Sequence, residues 1–95
     1  MQPGVEPLRS IEEDLQDLDE TDQAIERLSN RIDAQQLRVA QLKRDRVDAD
    51  TAQAMLANMR ASLKQLVMHR ALVVHAMARR SAGRTRVDRV QNEPT

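Results

Sequence analysis

The feature that most constrains this chain is a heptad run in its first half. Ile11, Leu18, Ile25, Ile32 and Val39 recur every seven residues, and Leu28 and Leu42 stand three residues after two of them. On an α-helix that spacing draws one narrow apolar seam and leaves the rest of the circumference to water. A seam of this kind needs a second apolar surface to cover it.

The second half of the chain supplies one. Ala52, Leu56, Met59, Leu63, Leu66, Val73 and Met77 follow by steps of four and three, interrupted once at Arg70. The two patterns are only partly in phase. Leu28, Leu42, Ala49, Leu56 and Leu63 continue by sevens across the junction. The companion series Ile32, Val39 would next reach Arg46, Gln53 and Arg60, whereas the apolar companions Ala52, Met59, Leu66 and Val73 stand one position earlier. The phase break together with a cap favours a turn at Val47-Asp48-Ala49-Asp50 and an antiparallel hairpin, with one bent continuous helix as the alternative. Folding at about Asp48 pairs residues whose numbers sum to roughly 97, setting Ile32 beside Leu66 and Leu18 beside Arg79.

Local signals place the boundaries. Pro3, Gly4 and Pro7 punctuate a flexible arm over residues 1–9. Ser10-Ile11-Glu12-Glu13 fits a capping box, with acids on the positive helix end. Helix 1 is expected over 11–46. Asp50 followed by Gln53 reads as a second cap, so helix 2 is expected over 51–80. Gly83 is a natural stop, and 81–95 reads as a disordered basic tail. The fold class is therefore all-α: two long antiparallel helices in a coiled-coil hairpin occupying residues 10–80.

Composition agrees and removes several function classes. The chain has no Cys, so it has neither a disulfide nor a thiolate site. It has no Phe, Trp or Tyr, so burial rests on Leu, Ile, Val, Met and Ala, while Gly and Pro lie near the ends. No secretory leader is expected from Met1 to Ser10, and the aliphatic run Ala71-Leu72-Val73-Val74 is far short of the roughly 20 residues a membrane span needs. A cytoplasmic protein away from the membrane is expected.

Net charge is zero but unevenly spread. Residues 1–30 carry nine acids and two bases, and residues 51–95 carry eight bases and two acids. In an antiparallel hairpin Asp14, Asp17 and Asp19 would lie beside Arg79, Arg80 and Arg84. Asp14, Asp17, Arg79 and Arg80 are the candidate charge-pairing residues. Exposed pairs contribute about 0–1 kcal/mol each, so their use is to fix orientation and register. Arg70 reads as a snorkelling side chain whose head reaches Asp22 or Glu26.

A lone hairpin leaves little core, and the sequence shows where more burial would come from. Val67 and Val74 widen the seam, while Met68, Leu72 and His75 form a second stripe. Val67, Met68, Leu72, Val74 and His75 are the candidate self-association or partner face, through which two hairpins would form a four-helix bundle. The expected partners are a second copy or another protein, with the function of an interaction or oligomerisation module.

Other chemistry is weakly supported. His69 and His75 are six residues apart, on different sides of a helix, and no ligand cluster accompanies them, so no metal or cofactor is expected. No nucleophile–base arrangement or glycine-rich phosphate loop occurs. Arg79, Arg80, Arg84, Arg86 and Arg89 offer a nucleic-acid alternative, against which stand zero net charge and the lack of aromatic side chains for stacking. Leu18-Asp19, Asp22, Ile25, Leu28, Arg31 and Lys43 loosely resemble the first helix of the all-helical chorismate mutases. That pattern's central arginine position is held here by Ile32, and its following acid–arginine pair has no counterpart near Asp48 to Gln53. No enzymatic activity is expected.

A wider resemblance covers residues 31–73. Arg38-Val39-Ala40-Gln41-Leu42, Asp50-Thr51-Ala52, Leu56-Ala57-Asn58-Met59, Ser62-Leu63 and His69-Arg70 resemble a group of small alphaproteobacterial helical-hairpin proteins that remain uncharacterised. Those relatives usually have Gly near the turn, where this chain has Val47-Asp48-Ala49. The resemblance implies a cytoplasmic helical hairpin and supplies no catalytic residue.

Overall fold

The computed structural model describes the backbone of residues 10–92 and the side chains of residues 10–82. The arm over 1–9 lies outside the described residues. Two helices, α1 (Ile11–Arg44) and α2 (Asp50–Asn92), fold back on each other as an all-α hairpin, with no strand among the described residues. At 1.5 Å per residue they are about 51 and 64 Å long, so α2 outruns α1.

Each helix end has a local cause. Ser10 is extended at φ −74°, ψ 162°, and its hydroxyl accepts from the Glu13 N–H at 3.1 Å, satisfying one of the free donors of the first turn. Glu12, Glu13 and Asp14 then sit on the positive end of the helix.

The C-terminus of α1 ends two residues before the expected 46, in a Schellman closure. The Val47 N–H donates to the Leu42 carbonyl at 2.9 Å and the Arg46 N–H to the Lys43 carbonyl at 3.1 Å. Arg46 takes the left-handed position at φ 58°, which glycine usually fills. A side chain there costs about 1 kcal/mol. Arg46→Gly should therefore leave the hairpin intact and raise its thermal midpoint, with a net gain of up to about 1 kcal/mol after the extra unfolded-state entropy of glycine. A lower midpoint, read by circular dichroism, would show that the Arg46 side chain contributes more than its backbone costs.

The second cap differs from the expectation built on Asp50 and Gln53. The carbonyl of Ala49 accepts from the Gln53 N–H at 2.8 Å, which places the cap position one residue earlier. The side chain that serves the new helix is Asp48, whose Oδ1 accepts from the Asp50 N–H at 2.9 Å. The connection is thus Asp45–Ala49, with Ala49 turned into the core. The far end of α2 also differs. Its backbone stays helical through Gly83 to Asn92, past both the expected end at 80 and the start of the expected tail. One glycine costs a helix about 1 kcal/mol, and the alanine and arginines around it are good helix formers.

The apolar core lies in the closed half of the hairpin. Ile32, Val39, Ala49, Ala52 and Leu56 are buried together, with Leu28, Leu42, Met59 and Leu63 packed around them. Three polar residues are buried as well: Asp14, Thr21 and Gln35. They stand at seven-residue intervals in the series that also holds Leu28 and Leu42, so they are seam positions of α1 occupied by polar side chains. Each has a partner. Thr21 Oγ1 donates to the Asp17 carbonyl at 2.7 Å, Gln35 Nε2 to the Ala52 carbonyl at 2.9 Å, and Arg80 Nη1 donates to Asp14 Oδ2. Thr21 is served within α1, but Asp14 and Gln35 are paired across the hairpin, so they lower stability and favour one register, because a slip leaves them unpaired.

That register is not the expected one. A sum of 97 would set Gln35 level with residue 62, yet it reaches Ala52; Asp14 and Arg80 sum to 94, Asp22 and Arg70 to 92. The connection is centred on Val47 and not on Asp48, which matches the Asp14–Arg80 pair, while the partners of Asp22 and Gln35 lie still nearer the turn on α2.

Candidate functional site

The segment of α2 from Leu66 to Ala78 is the part of the hairpin that its own fold satisfies least. Successive residues turn by about 100° on a helix. Val67, Ala71, Val74 and Ala78 therefore form one outer stripe at steps of four, three and four. Met68, Leu72 and His75 form a second stripe beside it. All seven are exposed. Leu72 keeps 67% of its surface, Met68 57%, Val67 49% and Val74 39%.

The two stripes adjoin the inner seam, where Val73 is buried and Leu66 and Met77 are half-buried. This stretch of α2 is thus apolar around most of its circumference. Helices of that kind are normally covered on more than one side. Leu37 on α1 is just as exposed, but it stands between Gln36 and Arg38 and above Asp33, as an isolated surface leucine does.

The charged side chain within the segment is drawn away from the outer face. Arg70 occupies the inner seam, and its Nε donates to Asp22 Oδ1 on α1 at 2.5 Å. Lys64 and Arg79 mark the two ends of the apolar surface. Of the two histidines, His69 has Nε2 3.1 and 3.2 Å from the Asp17 carboxylate oxygens, while His75 is exposed in the second stripe.

The charge-pairing residues are brought together in part. Arg80 meets Asp14, whose side chain is only 3% exposed. Asp17 meets His69, nearer the turn on α2 than the level of 79–80. Arg79 lies exposed beside the pair. The side chains of Arg84, Arg86 and Arg89 lie outside the described residues.

No buried reaction centre accompanies these features among the described residues. Ile32, at the position where the chorismate-mutase pattern has its arginine, is packed into the core, and Arg31 points to solvent. Among the described residues, no group of three or more His, Asp or Glu side chains is placed to hold a metal. No described helix is long and apolar enough to cross a membrane.

The outer face was visible in the sequence, since it depends only on spacing. Asp14 is a candidate charge-pairing residue in the sequence, but its burial and that of Thr21 and Gln35 emerge only when the Leu28–Leu42 series is filled in and continued by seven towards the N-terminus. Arg80 likewise continues the series Ala52, Met59, Leu66 and Val73 by seven.

Fold and surface together define a heptad-patterned helical hairpin with one uncovered apolar face on its second helix. No protein-family profile, curated protein or solved structure matches the chain.

Proposed function

We infer that this protein is a protein–protein interaction module whose first partner is a second copy of itself. Two hairpins would pack their α2 faces through Val67, Met68, Leu72, Val74 and His75 and form a four-helix bundle. The observation that carries the reading is the three-turn outer surface of α2, apolar and exposed, with Arg70 directed inward to Asp22. A face without Asp, Glu, Lys or Arg sets none of these like charges against each other when the same patch meets itself across a two-fold axis. Burial of this strip also adds core to a hairpin whose closed half holds all of its clustered apolar residues.

The resemblance to small alphaproteobacterial hairpin proteins fits this reading, as does a Cys-free chain working in the cytoplasm. The nucleic-acid alternative is weaker, because Arg80 is engaged by Asp14 and the chain offers no aromatic side chain to stack on a base. The enzymatic alternative is weaker still, because Ile32 fills the core at the position an arginine would need.

The test is the solution mass of the full chain by light scattering over a wide concentration range. The expected mass is twice the 10.8 kDa of one chain. Leu72→Glu should return it to one chain's mass without loss of helicity, because position 72 faces outward in the hairpin. A mass of one chain at every concentration overturns the self-association reading.

A further inference from the structure

The seam changes character along its length. In the closed half it is apolar, built from Ile32, Val39, Ala49, Ala52 and Leu56 with their neighbours. In the open half the cross-hairpin polar contacts are two ion pairs, Asp14 with Arg80 and Asp22 with Arg70, and a hydrogen bond between Asp17 and His69. The apolar residues there, Leu18, Ile25, Leu66 and Met77, are only half-buried, and Val73 alone is buried.

We propose that the open half is an electrostatic clasp that opens as a unit separate from the closed half, with ionic strength as its control. Cooperative units with few buried apolar contacts open at lower free energy than the core they adjoin. The side chains of the Asp22–Arg70 pair are 46% and 44% exposed, so salt reaches that pair, and His69 beside Asp17 is 48% exposed, so water reaches that contact. Screening shortens the range of such charges from about 10 Å at 0.1 M salt to about 3 Å at 1 M. The apolar closed half has no comparable dependence.

Opening would free Leu66, Val73 and Met77 to join the outer stripes, so that α2 could be gripped around its whole circumference. That consequence rests on the self-association reading; the opening itself does not. The clasp would thus regulate how much of α2 a second copy can bury.

Amide hydrogen exchange of the full chain tests this. Between low salt and about 1 M NaCl, exchange over residues 14–25 and 66–80 should accelerate about tenfold, the effect of losing partly exposed ion pairs together. Residues 30–42 and 50–62 should change by less than about twofold. The variant Asp14→Asn/Asp17→Asn/Asp22→Asn should show the open-half exchange rate already at low salt and lose the salt response. Equal acceleration in both halves overturns the clasp, and so does unchanged protection of residues 14–25. Those α1 amides report on opening alone, whereas solution mass reports on association, so the failure of one reading is distinguishable from the failure of the other.

Discussion

Leu56→Ala is expected to remove about 2–5 kcal/mol of stability, the usual range for emptying a leucine site in a packed interior. Leu56 is 7% exposed and lies in the one cluster that unites the two helices beside the turn. Single domains have only about 5–15 kcal/mol in hand, and one this small lies at the low end. The variant should therefore unfold at markedly lower urea, with helix content lost in one transition. The informative control is Leu72→Ala. In an isolated hairpin position 72 faces water, so the change should stay within about 0.5 kcal/mol. Measured by urea unfolding at rising protein concentration, a Leu72→Ala cost that grows would show that the outer face is buried between copies. A Leu56→Ala variant as stable as the parent would show that the closed half is not the core.

How much of this was legible in the sequence follows from what each element depends on. The helices and the antiparallel pairing depend on periodicity, and Ile32, Val39, Ala52 and Leu56 lie where the apolar steps of seven, four and three place them. The exposure of Leu72 and Met68 follows from the same geometry, because a helix can turn only one side to its partner. The turn depends instead on backbone conformation. Arg46 adopts a left-handed φ although arginine gives no signal for it, and the hydrogen bonds to Leu42 and Lys43 hold it there. Once α1 stops at Arg44, Asp48 becomes the acceptor at the start of α2 and every cross-hairpin pair shifts. Asp17 lies opposite His69, nearer the turn on α2 than a shift of the turn centre by one residue alone would bring it. The polar seam residues were hidden for a different reason. Attention to apolar periodicity passes over Asp14, Thr21 and Gln35, whose positions in the repeat, not their hydropathy, decide their burial.

Arg80→Ala should be the most damaging of the charge substitutions, at about 2 kcal/mol. Asp14 is 2% exposed as a residue, and the loss of the Arg80 guanidinium takes from that buried carboxylate a charge-assisted donor. Arg79→Ala, one residue away but exposed, should cost within about 0.5 kcal/mol. The two together separate a buried pair from general neutralisation of the basic end of α2. Thermal unfolding reads the difference, and equal effects at 79 and 80 would show that only net charge matters. The double variant Asp14→Leu/Arg80→Leu carries the argument further. Replacing both members with apolar side chains at seam positions should recover most of the loss and can exceed the parent, because a buried ion pair gains little over good apolar packing. What the double variant should lose is selectivity for register. A seam with fewer polar positions tolerates a slip by a heptad more readily, whereas the buried Asp14 carboxylate does not. Spin labels at Gln16 and Ala78 should then give a broader distance distribution than in the parent, even as the midpoint rises. A narrow distribution would assign the register to the polar contacts that remain across the hairpin, Gln35 with the Ala52 carbonyl, Asp22 with Arg70 and Asp17 with His69.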